Sequence, residues 1–297
     1  MTIQLNDAVH LESLHHNTQV KVMEYLNHPN FTGHFTDEQY QDLLNDSGLS
    51  DTELKLALLP LAASLSYCSI SNFHVGAIAE GLSGAIYFGA NLEFAGTQLG
   101  QTVHAEQSAI SHAWMKGEAG IKNITINHTP CGHCRQFMNE LTTANELSIQ
   151  LPQRKAMSLN ELLPESFGPA DLNESSRLMD QSQQAITSPQ DSPLMSAAVF
   201  ALNMSHAPYS KNYSGVSIQV QDGSIFNGSY AENVAFNPSL PPLQVALNLL
   251  LLAGHSLDTI TSACLAELST GVISHLAETQ STLEAINPDI TLDYVSL

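Results

Sequence analysis

Three side chains able to bind a zinc ion stand close together in this 297-residue chain: His104, and the pair in Pro130-Cys131-Gly-His-Cys134. Zinc favours imidazole and thiolate, and a catalytic zinc keeps three protein ligands with one position open to water. The two cysteines are set to open a helix, where unsatisfied N–H groups and the positive end of the dipole favour the ligating thiolate. Glu106 follows His104 by two residues. On a helix that spacing turns the two side chains to nearly opposite sides, so the carboxylate stays off the metal and is free to move protons beside an activated water. A closed structural site with Cys68 or His133 as fourth ligand is the competing arrangement. Glu106 would then be an ordinary first-turn acid. His128 and His133 read as neighbours of the metal rather than ligands.

Alternating strands and helices must carry these residues. A helical lead-in over 1–49 shows Val20, Met23 and Leu26 at helical spacing and a Thr36-Asp-Glu-Gln39 capping box. An alanine-rich helix over 52–67 is followed by strands at 75–79 and 85–88, joined through Gly81 and Gly84. A helix over 104–115, a strand over 121–127, a helix from Cys131 to about Leu141 and a strand near Ile149 complete an α/β layer pattern. The polar stretch 171–193 reads as a linker.

Beyond it the chain echoes itself. A constant shift of 139 residues aligns Ala62 with Ala201, Ser66 with Ser205, Ser71 with Ser210, Gly76 with Gly215, Gly84 with Gly223, Ile86 with Ile225, Gly89 with Gly228 and Glu93 with Glu232, eight identities in 32 positions. The same shift sets Leu243 opposite His104, Val245 opposite Glu106, Thr270 opposite Cys131 and Ile273 opposite Cys134. A copy that keeps its glycines and replaces these residues has kept the fold and lost the metal. The expected organisation is therefore a helical segment 1–49, a catalytic zinc domain 50–170, a linker 171–193 and a degenerate domain 194–297 without metal.

The order H-x-E…P-C-x-x-C is the pattern of zinc-dependent base deaminases. Along nearly its whole length the chain resembles the two-domain, homodimeric bacterial cytidine deaminases. The resemblance is carried by Ser71-Asn-Phe73-His-Val-Gly76, Phe88-Gly-Ala-Asn91-Leu-Glu93, Thr102-Val-His104-Ala-Glu106, Thr129-Pro-Cys131-Gly-His-Cys134-Arg135-Gln-Phe137 and Tyr230-Ala-Glu232-Asn233. It implies a three-layer α-β-α fold, duplicated, and one zinc per subunit held by His104, Cys131 and Cys134. It also implies attack of zinc-bound hydroxide on C4 of cytidine or deoxycytidine, releasing ammonia, with Glu106 shuttling protons. Phe73 would pack on the pyrimidine, Asn91 and Glu93 would hold the ribose 3′-hydroxyl, and Leu92 and Ala105 would line the substrate. Ala235 and Phe236 would help close the partner subunit's site.

Charge narrows the substrate. Nine basic residues against 29 acidic ones leave a formal net charge of −20, which repels a phosphate backbone and disfavours a polynucleotide substrate or partner. Deamination within RNA or DNA would need a basic groove that nine cations scarcely supply. A non-catalytic zinc-stabilised interaction protein is the third alternative, and it requires four protein ligands. Four cysteines are too sparse for a disulfide framework. The first residues have no secretory pattern and no window is apolar enough to span a membrane, so the expectation is a soluble, cytoplasmic homodimer acting on a small nucleoside.

Overall fold

The computed structural model describes residues 11–180 and 183–297, so the first ten residues of the expected N-terminal segment and two of the expected linker lie outside the described residues. Two compact units emerge. Among the described residues the first comprises 11–92, His104–Ser166 and Leu252–Gly254; the second comprises Glu93–Val103, 167–180, 183–251 and His255–Leu297.

In the first unit, α1 (His16–Leu26), β1 (His34–Phe35) and α2 (Asp37–Ser47) precede α3 (Asp51–Ser64). The Thr36 capping box is formed with Gln39, and Ser50 forms a second one with Glu53. The buried stripe of α1 is Thr18, Val22 and Leu26, whereas Val20 is exposed. Of the expected face, Leu26 is buried and Met23 packs on the core, while Val20 is corrected to an exposed position; Thr18, hydrogen-bonded to Asp46, lies on the buried side. These helices share one apolar core with α3 and with Ile78, Ile86 and Phe88. The short strands β2 (Tyr67–Cys68) and β5 (Leu92–Glu93) flank the hairpin of β3 (Gly76–Gly81) and β4 (Ile86–Ala90). Next come α4 (Ala105–Met115), β6 (Ile121–Ile126), α5 (Gly132–Met138), β7 (Ser148–Gln150), β8 (Met157–Ser158) and α6 (Leu159–Leu162). The six-stranded sheet runs β1-β4-β3-β6-β7-β8, antiparallel except between β6 and β7.

Two glycines show how the layers form. A Cβ at Gly76 would strike the backbone of Ala63 on α3, and one at Gly89 would strike Ala105 and Ala109 on α4. Gly89 pairs with Ala77, the neighbour of Gly76, so the two glycines point to opposite faces. Helix α3 therefore covers one face of the sheet and α4 the other.

The second unit repeats this plan with α7 (Pro193–Met204), β9 (Ser214–Val220), β10 (Ile225–Ser229), α8 (Pro242–Leu252), β11 (Ile260–Glu267), α9 (Leu276–Ile286) and β12 (Thr291–Ser296). Its sheet runs β10-β9-β11-β12. Gly215 meets α7 at Leu202, and Gly228 meets α8 at Pro242 and Ala246, so the three-layer packing is the same. The strands keep the 139-residue shift: Ala77 pairs with Ile126 as Val216 pairs with Leu265. The helix does not. Gly89 faces Ala105 and Ala109 where Gly228 faces Pro242 and Ala246, so α8 has slid by two residues. Pro241 rather than Leu243 is the counterpart of His104, and Leu243 rather than Val245 that of Glu106. None of these can bind zinc or carry a proton.

Helix α4 is buried along all of Ala105–Trp114, which places a histidine, His112, in the core. Its Nδ1 donates to Phe88 O at 2.9 Å, with the rings of His34 and Tyr87 edge-on and the Lys116 ammonium nearby. Burial pushes His112 down to about 3 and His34 to about 4. Both lie below the ordinary histidine value, so the unfolded chain takes up protons first as pH falls. The stabilisation is complete above about pH 6.5 and is lost as pH drops toward 3. For His112 the loss between pH 7 and pH 4 is roughly 3 kcal/mol. Urea unfolding at pH 7, 5.5 and 4 should show it, with a shallower decline for His112→Leu; equal declines would refute the account.

Among the described residues no helix is long and apolar enough to cross a membrane.

Candidate metal centre

The expected metal ligands sit at two helix starts. His104 caps α4 with extended backbone (φ −84°, ψ 154°), and its N–H donates to Gln107 Oε1 at 3.2 Å. Cys131 caps α5 in the same conformation (φ −71°, ψ 169°), and Cys134 follows one turn later, fully buried. Helix α5 ends at Met138, three residues short of the expected Leu141. From there the chain continues in i→i−3 turns, Glu140 N–H to Phe137 O and Leu141 N–H to Met138 O. Arg135 ties the loop down, donating from Nε to Pro130 O at 2.9 Å and from Nη1 to Leu162 O at 2.7 Å.

Cys131 Sγ lies 3.5 Å from His104 Nδ1 and 3.5 Å from Cys134 Sγ. A tetrahedral zinc with ordinary bond lengths separates a sulfur and a nitrogen ligand by about 3.6 Å and two sulfurs by about 3.8 Å. The three side chains therefore fit the ion. His133 also approaches: its ring is 5.0 Å from that of His104, and ligand atoms of His104, His133 and Cys134 all lie within 4.8 Å of one another.

The electrostatics favour one thiolate already in the protein. Hydrogen bonds from Cys134 and His104 pull Cys131 down to about 3. The same bond to Cys131, together with burial, pushes Cys134 up. Cys131 raises the affinity of His104 for its proton. A dication bound here would reverse this for Cys134, since a coordinating thiol is deprotonated outright. Glu106 is 4% exposed and is hydrogen-bonded to the Cys134 thiol. Burial is the largest influence on it and lifts its carboxyl above the usual range.

The residues expected around a substrate are distributed as follows. Phe73 is 52% exposed, outside the core, with its ring 4.6 Å from that of His128. Asn91 is buried, its Oδ1 accepting from Val75 N–H at 2.9 Å and its Nδ2 donating to Phe73 O at 2.9 Å. Leu92 and Ala105 are buried. Glu93, Ala235 and Phe236 belong to the second unit; Glu93 is buried there, and Phe236 is 62% exposed on a left-handed backbone (φ 62°). Asn127, which no sequence pattern singled out, joins the group through hydrogen bonds to Gly76 N–H and His74 O.

The chain was compared with known proteins. Two profiles described as "Cytidine and deoxycytidylate deaminase zinc-binding region" match it, one over residues 50–148 and the other over residues 159–280. The second match spans the copy in which Cys264 is the only cysteine. A protein named cytidine deaminase from Vibrio atlanticus (strain LGP32) is 63% identical over 268 residues, 90% of this chain and 91% of that protein. Another of that name from Vibrio cholerae serotype O1 (strain M66-2) is 61% identical over 267 residues, 90% of each. With such identity over 90% of its length, the chain belongs to the cytidine deaminase family.

Proposed function

We propose that this protein hydrolyses cytidine and deoxycytidine to uridine and deoxyuridine with release of ammonia, using zinc held by His104, Cys131 and Cys134. The carrying observation is the convergence of an imidazole and two sulfurs at tetrahedral spacings beside the buried Glu106 carboxyl. Bound there, zinc supplies the Lewis acidity that makes water nucleophilic near neutral pH. Glu106 takes one proton from the attacking water and gives it to the ring nitrogen as the C4–O bond forms. It then takes the second proton from the new C4 hydroxyl and gives it to the amine as the C4–N bond breaks, so water and cytidine balance uridine and ammonia. Phe73 offers an apolar ring to the flat base, Asn91 and Glu93 are assigned to the ribose hydroxyl, and Leu92 and Ala105 line the nucleoside.

Residues 50–170 are assigned the chemistry, residues 1–49 a supporting helical role, residues 171–193 the linker and residues 194–297 a structural role. The assembly is a cytoplasmic homodimer in which Ala235 and Phe236 close the partner's site; the exposure of Phe236 supports this. The formal charge of −20 favours a free nucleoside over a polynucleotide.

An ultraviolet assay of cytidine conversion tests the reaction. The zinc-loaded protein should turn over cytidine, lose that activity on chelation and regain it when zinc is restored. A loaded protein inert toward both nucleosides would refute the assignment.

A further inference from the structure

Residues 73–76 lie in the grip of two asparagines. On one flank the Asn91 N–H donates to Val75 O at 3.3 Å, Oδ1 accepts from Val75 N–H at 2.9 Å and Nδ2 donates to Phe73 O at 2.9 Å. On the other flank the Asn127 N–H donates to Gly76 O at 3.2 Å, Oδ1 accepts from Gly76 N–H at 3.1 Å and Nδ2 donates to His74 O at 3.3 Å. A carboxamide carries the same acceptor and donor as a peptide group. Each asparagine thus adds a rung to the ladder at the point where its own backbone leaves the sheet.

The second unit shows what happens without a metal loop to supply. There β11 continues to pair with β9 through Ala266↔Gly215 and Glu267↔Ser214. Its counterpart β6 stops pairing with β3 at Ile126↔Ala77. The position matching Asn127 is Ala266 and that matching Asn91 is Tyr230. Backbone makes the rungs in one copy; in the other the last backbone rung is Asn127 N–H to Gly76 O, the Asn127 side chain adds those to Gly76 N–H and His74 O, and the backbone is released toward His128 and Cys131.

We propose that Asn127 is a positioning residue of the nucleoside site. Its carboxamide lets β6 depart early into the metal loop while keeping 73–76 extended, which fixes Phe73 against His128. The inference rests on the cytidine reading given above, and it makes Asn127 a determinant of substrate affinity without contact to substrate.

The test is a double-mutant cycle on the full-length zinc-loaded protein, with Asn127→Ala and Phe73→Leu and cytidine as the substrate. Asn127→Ala should raise KM on the order of tenfold, the scale of losing two hydrogen bonds, one half-buried to Gly76 N–H and one exposed to His74 O. It should leave kcat within about twofold and zinc at one per chain. In the Phe73→Leu background it should add less than about twofold in kcat/KM, because its effect passes through Phe73. Asn127→Asp keeps the acceptor for Gly76 N–H and loses the donor to His74 O, so it should reproduce the KM effect and serves if the alanine variant does not fold. An unchanged KM, a full effect in the Phe73→Leu background, or loss of zinc would overturn the proposal. Wild-type protein without cytidine turnover would instead defeat the reading of the reaction, and this inference with it.

Discussion

Glu106→Gln protein should hold one zinc per chain and deaminate cytidine about ten-thousandfold more slowly than wild type, the upper end of what a positioned acid–base group contributes. That factor corresponds to about 5.4 kcal/mol of barrier. The top of the range applies because one carboxyl serves every transfer: from water, to the ring nitrogen and to the leaving amine. Glutamine fills the same volume in a site that leaves only 4% of Glu106 exposed, so packing is preserved. It can still hydrogen-bond, yet it has no proton-accepting oxygen of suitable basicity. Zinc should remain because the ligand set does not include position 106, although the residue touches Cys134. Metal analysis and single-turnover rates check the two halves of the expectation separately. Turnover within tenfold of wild type would remove Glu106 from the chemistry, and zinc loss would make it a ligand or a support of one.

Much of this site was legible in the sequence for physical reasons. His104, Glu106, Cys131 and Cys134 are short-range motifs, and the helix starts that present them follow from local periodicity. The α/β layering followed from alternating elements and its three-layer form from the family resemblance, while the glycines that let α3 and α4 press on the sheet show their role only in the structure. What was hidden depends on register between distant segments. The two-residue slide of α8 cannot be seen in an ungapped alignment, since only the contacts of Gly228 reveal it. Asn127 looks like any polar residue at a strand end, and its bonds to His74 and Gly76 span about fifty positions of sequence. Phe73 could equally have been a core residue. Its exposure follows from the left-handed turn at Asn72 (φ 54°) and from the two asparagines that hold the strand beyond it.

Cys131→Ala should strip the protein of zinc and of cytidine turnover together, while His133→Ala should keep both. The contrast matters because the geometry admits a rival trio, His104, His133 and Cys134, whose ligand atoms lie within 4.8 Å of one another. Two considerations decide for Cys131. Its sulfur stands 3.5 Å from both His104 Nδ1 and Cys134 Sγ, near the edge lengths of a zinc tetrahedron. It also gives the site a second sulfur, and two thiolates offset the dication where two helix starts would repel it. Losing a group that merely hydrogen-bonds a ligand costs roughly 10–100-fold in metal affinity, so losing a ligand should cost more than that. Zinc competition against a chromogenic chelator gives the affinities, and a cobalt-substituted sample shows by its spectrum whether one thiolate or two remain. A Cys131→Ala protein with wild-type zinc affinity, or a His133→Ala protein without metal, would hand the fourth corner and the chemistry to the other trio.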